Sequence, residues 1–226
     1  MLTDKFRPNH SEKPVKTREF IAEMKALARI GEMNDAASKL SESAMSENKL
    51  GNFENAAVFY NCAGDILIKS GIAEDREYAI NMYMKSAEEY ENAGIMAFKK
   101  SNTYESAILF KLAANVYKLG GGNANLKEAA RCFEIAASFF EHAANFEYFE
   151  NANAKESKEI MLIFSAESNR DAAKMYLSLD EVIDEDSKAI VDNLIKASER
   201  YGNAGEIVRS ADCIVDAELY RIIGSK

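Results

Sequence analysis

The chain has 226 residues, of which 47% are hydrophobic and 29% charged, and this composition excludes an intrinsically disordered protein. Its net charge of −9 and pI near 5.0 argue against nucleic-acid binding, because an acidic surface repels phosphate groups. The only two prolines, Pro8 and Pro14, lie in the first fourteen residues, so the rest of the sequence favours helix.

In chain order, the sequence predicts a flexible N-terminal leader at 1–14, followed by a single helical-repeat domain at 15–226. Apolar residues at helical spacing, bounded by glycine and asparagine, indicate nine helices in this domain. The predicted helices lie near 15–30, 33–50, 53–70, 75–93, 103–119, 125–144, 155–178, 186–203 and 206–222, with 95–101 unassigned.

Four twelve-residue segments share one pattern: a large residue at position one, small residues at four and five, and a large residue at eight. Their first positions are Tyr60, Tyr83, Phe110 and Phe133, and a weaker fifth copy begins at Leu194. The first positions are 23, 27 and 23 residues apart, so two helices repeat about every 50 residues. A period of this length is typical of an α-solenoid built from helical hairpins.

The four shared positions fall on one face of a helix. Small residues between two large rings leave a notch into which a neighbouring helix can insert its own aromatic side chain. We therefore expect these stripes to form the core. The residues concerned include Tyr83, Ser86, Ala87, Tyr90, Phe110, Ala113, Ala114, Tyr117, Phe133, Ala136, Ala137 and Phe140.

Polar residues at the predicted helix ends indicate caps. Asn102 with Glu105, and Asn125 with Glu128, have the spacing of a capping box. Three glycines, Gly71, Gly94 and Gly120, are suited to C-terminal caps.

Segment 40–63 carries part of the tetratricopeptide pattern, and the longer phrase A-x-x-[FY]-x-x-A-A-x-x-[FY] resembles that of the soluble NSF attachment proteins. The phrase is clearest in "NFENAAVFYNCAGDILIKSG" and "LKEAARCFEIAASFFEHAA", and the likeness covers about 40–144 and, weakly, 186–222. The resemblance implies an all-α solenoid, either a right-handed superhelix or a twisted sheet of antiparallel hairpins. It also implies binding to other proteins, which in that family are the helical bundles of membrane-fusion machinery and the ATPase that dismantles them.

Charge is distributed unevenly along the chain. Residues 32–94 carry a net charge of −7 and residues 132–226 carry −9, whereas residues 95–131 carry +4. This positive segment is either a solvated polar surface or a docking surface for an acidic, helical partner protein. The candidate protein-binding residues are Lys99, Lys100, Lys111, Lys118, Lys127 and Arg131.

Residues with catalytic or metal-binding chemistry are sparse. His10 and His142 have no cysteine nearby in sequence, and the three cysteines, Cys62, Cys132 and Cys213, have none of the spacings of a metal site. The glycines at 120–122 lack the lysine of a phosphate-binding loop, and the acidic run "DEVIDED" at 180–186 lacks the central glycine of a calcium loop. We expect no catalytic residue, no cofactor and no metal.

These observations favour a protein-binding module or adaptor scaffold over an enzyme. Two alternatives are a metal-dependent helical enzyme that uses carboxylates and a structural assembly subunit. We expect a cytoplasmic monomer without an integral membrane segment, because the sequence has no long apolar run and no apolar signal-peptide core.

Overall fold

The structure, a computed structural model, describes residues 14–146 and 154–223. In these two ranges all regular structure is helical, with one 3₁₀ turn at Ile68–Ser70, and the all-α prediction is confirmed. The helices are α1 (Pro14–Arg29), α2 (Met33–Lys49), α3 (Phe53–Leu67), α4 (Ala73–Lys99), α5 (Thr103–Gly120), α6 (Gly122–Phe146), α7 (Ala154–Leu177), α8 (Asp184–Asn203) and α9 (Ile207–Ile223).

The chain divides into two compact units, Met1–Met82 and Tyr83–Lys226. The first unit contains α1 to α3 and the beginning of α4, and the second contains the remainder. The single-domain assignment of 15–226 stays a prediction, and each of the two units is described separately below. The predicted leader lies outside the described residues apart from Pro14, where α1 begins.

In the first unit, α1 packs on α2 and α3. The rings of Phe20 and Phe59 meet edge to face with centroids 5.7 Å apart. Met24, Leu40 and Tyr60 are buried between the helices.

In the second unit, helices that are two apart in the sequence contact each other through their side chains. Arg131 of α6 reaches Glu91 of α4 at 2.7 Å, and Arg200 of α8 reaches Glu141 of α6. On the other side, Glu167 of α7 lies 4.0 Å from Lys111 of α5 and 3.9 Å from Arg209 of α9. The unit therefore has two layers, α4–α6–α8 and α5–α7–α9, which is the arrangement of stacked helical hairpins.

The repeated stripes form the core between these layers. Every stripe residue named above is buried, and Ala87, Ala113, Ala114 and Ala136 have no exposed surface. The weaker fifth copy is also buried, through Leu194, Ala197, Ser198 and Tyr201. The prediction that the stripes form the core is confirmed.

Three of the predicted helix ends are wrong. Gly120 is the last residue of α5, and the glycine that follows it, Gly121 with φ 64°, is the C-cap. Helix α4 continues through Gly94 to Lys99. Gly94 lies against the Phe110 ring, where a Cβ atom would come within 2.9 Å, so it is a point of close approach and not a cap. Asn125 lies inside α6, which begins at Gly122, so it caps nothing. The Asn102 cap is confirmed, since its side chain accepts a hydrogen bond from the Glu105 backbone N–H at 3.2 Å.

Candidate protein-binding surfaces

Two of the six predicted docking residues, Lys99 and Lys100, lie where α4 ends. Both are exposed, and neither forms an ion pair with any residue that the structure describes. Lys118, near the end of α5, is also exposed and has no such pair. Lys118 lies 15 residues after Thr103, which is about 22 Å along α5. Lys99 and Lys100 are close in sequence to the other end of this helix, where it begins.

The other three predicted residues already have acidic neighbours. Lys111 is half-buried, 4.0 Å from Glu167 and 5.9 Å from the centroid of the Phe164 ring. Lys127 pairs with Asp186 at 3.0 Å.

Arg131 pairs with Glu91 and Glu128, both at 2.7 Å. Half of the predicted set thus holds helices together. The docking prediction remains a prediction, carried by Lys99, Lys100 and Lys118.

Glu91 of α4 is the centre of a half-buried polar cluster. It accepts hydrogen bonds from the Tyr117 hydroxyl of α5 at 2.9 Å and from the Arg131 guanidinium of α6 at 2.7 Å. Burial and the adjacent Glu91 charge raise the pKa values of Tyr117 and of the Cys132 thiol far above their usual ranges. Cys132 is therefore held as a neutral thiol, which is unreactive.

A second cluster repeats this arrangement two helices later. Glu134 of α6 accepts hydrogen bonds from the Asn193 amide of α8 at 2.7 Å and from the Tyr176 hydroxyl of α7. Burial, together with the Glu134 charge, raises the pKa of Tyr176 to about 12. In each cluster one carboxylate joins three successive helices.

Helices α6 and α8 meet along a polar seam of three contacts: Lys127–Asp186, Glu134–Asn193 and Glu141–Arg200. The partners are 59 residues apart in every case. The contacts recur every seven residues, about two helical turns, which keeps them on facing sides of two parallel helices. Because the charge sign on α6 reverses from Lys127 to Glu141, the seam fits one register and one direction.

Helix α9 has two apolar faces. Cys213 and Ala217 are buried on the face that packs against the rest of the second unit. The opposite face carries six large apolar side chains that are 51–76% exposed. They are Ile207, Val208, Ile214, Val215, Leu219 and Ile222, which we call the α9 face.

The sequence reasoning missed the α9 face, although a signal for it was present. Residues 207–222 are apolar at too many positions for one buried stripe, since Cys213, Ala217 and Tyr220 already supply the inward side. A helix that is apolar on two opposite sides needs two partners. Among the described residues only the inward face of α9 has a packing partner, and the sequence alone did not indicate this.

The other motifs take structural roles. Asp186 of the acidic run is buried, pairs with Lys127 and accepts a hydrogen bond from the Ile183 backbone N–H at 3.4 Å. All three cysteines are free and buried. Among the described residues, no group of three or more His, Cys, Asp or Glu side chains is placed to hold a metal ion.

None of the described helices combines the length and apolar composition needed to cross a membrane.

Comparison with known proteins places the chain in no family. No protein-family model matches the sequence, and no curated protein matches it. A solved structure titled "DHF58 filament" is 15% identical, with a TM-score of 0.43, over 93% of this chain and 95% of its own. BtubC (BKLC) from P. vanneervenii is 16% identical, with a TM-score of 0.25, over 92% and 89%. Likenesses this distant carry no argument about function.

Proposed function

We propose that this protein is a protein-binding scaffold whose α9 face docks a partner protein. The observation that carries the proposal is the row of six exposed, large apolar side chains along α9, the last of the described helices. The outer face of a helix in a stacked array is normally polar where it meets solvent, because exposed apolar rows associate with other surfaces. Burying each of these side chains would contribute roughly 1–2 kcal/mol, given the fraction that is now exposed.

The experiment uses a photo-cross-linking amino acid at Val215 in the full chain, expressed in its native host. The proposal expects one discrete adduct with another protein. That partner, once identified and purified, should bind the chain in a calorimetric titration.

The variant Ile207→Lys/Val215→Lys should weaken this binding at least about tenfold, because lysine ammonium groups would have to be buried in the interface. The matched control, Ile95→Lys/Leu119→Lys, changes two exposed apolar residues elsewhere in the second unit and should bind normally. Equal affinities of the two variants would refute the proposal. An adduct formed only with a second copy of the chain would also refute it, in favour of a structural assembly subunit.

The family resemblance implies a role in membrane fusion or complex assembly, and identifying the partner would test that role. An acidic partner is expected at Lys99, Lys100 and Lys118, and this second surface is independent of the α9 face.

A further inference from the structure

The first unit contains a small cavity between α1 and the end of α3. It has a volume of about 180 Å³. Ala28 and Ile66, both buried, and the half-buried Met33 form its apolar floor. Pockets that hold cofactors or drug-sized ligands have volumes of roughly 300–1,000 Å³, so this cavity is suited to a single side chain.

Three cations surround the floor. Lys25 and Arg29 lie one turn apart on α1, and Lys69 approaches from the 3₁₀ turn after α3. All three side chains are exposed, and none forms an ion pair with a residue in the described part of the chain. Like charges at this helical spacing repel each other, and a bound anion would relieve that repulsion.

The cations also differ from those at 95–131, three of which are paired with acids in the fold. Asp65 and Lys25 both lie near Cys62, where burial and the Asp65 charge raise the pKa of the thiol and the Lys25 charge lowers it. Two acids adjoin the lining residues in sequence, Asp65 before Ile66 and Glu32 before Met33, and they are fewer than the three cations. The rim of the cavity therefore remains positive.

From this geometry we infer that the cavity is a docking site for an acidic peptide segment of a partner protein, anchored by one apolar side chain. The anchor fills the space above Ala28 and Ile66, while carboxylates on either side of it contact Lys25, Arg29 and Lys69. Arginine suits this role, since its guanidinium group can hold a carboxylate through two parallel hydrogen bonds. The inference does not depend on the α9 face, which belongs to the other unit.

The test measures fluorescence anisotropy of three labelled 12-residue peptides mixed with the full chain. The first peptide has one central leucine among aspartates and glutamates. The second replaces the leucine with serine, and the third replaces the acids with lysines. We expect the first to bind at micromolar concentrations, the second roughly tenfold more weakly because the anchor is lost, and the third not at all.

Variants of the protein separate the charge from the cavity. Lys25→Glu/Lys69→Glu should weaken binding of the first peptide at least about tenfold. Lys49→Glu, at an exposed lysine of α2 outside the cavity, should leave the affinity unchanged. Ala28→Leu fills the floor, so it should remove the preference for leucine over serine while retaining the salt dependence. Thermal melts verify that each variant is folded.

Three results would overturn the inference. The first is equal binding of the leucine and serine peptides to the wild type, which would reduce the site to general electrostatics. The second is unchanged affinity in Lys25→Glu/Lys69→Glu. The third is binding to phosphatidylserine vesicles with the same dependence on Lys25 and Lys69 while the acidic peptide does not bind, which would make the site a lipid-headgroup site.

Discussion

Glu91 and Glu134 have similar roles in the two clusters, because each is a carboxylate that accepts a hydrogen bond from a tyrosine hydroxyl of the next helix. A buried acceptor of this kind is costly to leave without donors, so each cluster favours one arrangement of three helices. The tyrosine hydroxyls are ionisable donors in these clusters, and burial together with the charge of the acceptor raises their pKa values. Their protonation therefore couples stability to alkaline pH.

Tyr176 gives a direct test of this coupling. Its pKa is raised to about 12 in the fold, compared with about 10 in an unfolded chain, so the unfolded state loses its proton first as pH rises. The contribution is complete below pH 10 and is lost as pH rises to 12. After discounting for solvent screening of a half-buried group, we expect the loss to be roughly 1–2 kcal/mol.

Urea unfolding measured between pH 8 and pH 12 would detect it. Tyr176→Phe should be less stable than the wild type at pH 8 and should lose less stability on the alkaline side, so that the two curves converge. Tyr78→Phe, at an exposed tyrosine, should follow the wild-type curve. Parallel curves for Tyr176→Phe and the wild type would show that the Glu134 cluster does not control the alkaline transition.

At the scale of elements, the polar seam fixes how α8 lies on α6. Arg200 is the most buried cation of the seam, with a side chain 11% exposed. It donates a hydrogen bond to Glu141, and it lies fourteen residues after Asp186, the first seam residue of α8. Reversing one partner would place two like charges side by side, one of them at the buried Arg200 position. Reversing both would restore the attraction in the opposite sense.

We expect Arg200→Glu to destabilise the second unit by about 2–4 kcal/mol, since it leaves uncompensated charge at a buried site. The double variant Glu141→Arg/Arg200→Glu should recover at least about half of that loss. Denaturant midpoints of the four proteins in the cycle measure this coupling. Additive losses would mean that packing, not the ion pair, positions α8.

The sequence predicted the helices and their buried stripes because both depend on local spacing. Tyr83, Ala114 and Phe133 sit where their period places them. Gly94 was misassigned because glycine serves either as a cap or as a point of close approach, and only the location of the Phe110 ring decides between them. Ion pairs such as Lys127–Asp186 join residues 59 apart, and no local pattern indicates which cation will find an acid.

For the whole molecule, the sequence predicted how charge is distributed along the chain but not which cations are paired with carboxylates in the fold. Residues 95–131 carry six cations, yet Lys111, Lys127 and Arg131 face carboxylates of neighbouring helices. The predicted docking surface is thereby reduced to Lys99, Lys100 and Lys118, which form no ion pair with any described residue.

Replacing Lys99, Lys100 and Lys118 with glutamate should weaken retention on immobilised polyglutamate at least about tenfold, and more at low salt, because exposed charges are screened over about 8 Å at physiological ionic strength. The control Lys49→Glu/Lys188→Glu/Lys196→Glu changes the net charge equally at three other exposed lysines. Surface plasmon resonance compares the two. If both triple variants lose the same amount, net charge and not this surface governs binding to acidic partners.

All three seam contacts join residues 59 apart, so the seam constrains the lengths of α6 and α8 between its contacts. Adding one residue within α6, between Glu134 and Glu141, would rotate everything beyond it by about 100° and separate Glu141 from Arg200. Adding one in the turn at 178–183 would leave both helices unchanged and could be absorbed as a longer loop. Length variation among homologous chains should therefore collect in the turns, while α6 and α8 keep their lengths, even where the individual amino acids of the seam have been exchanged.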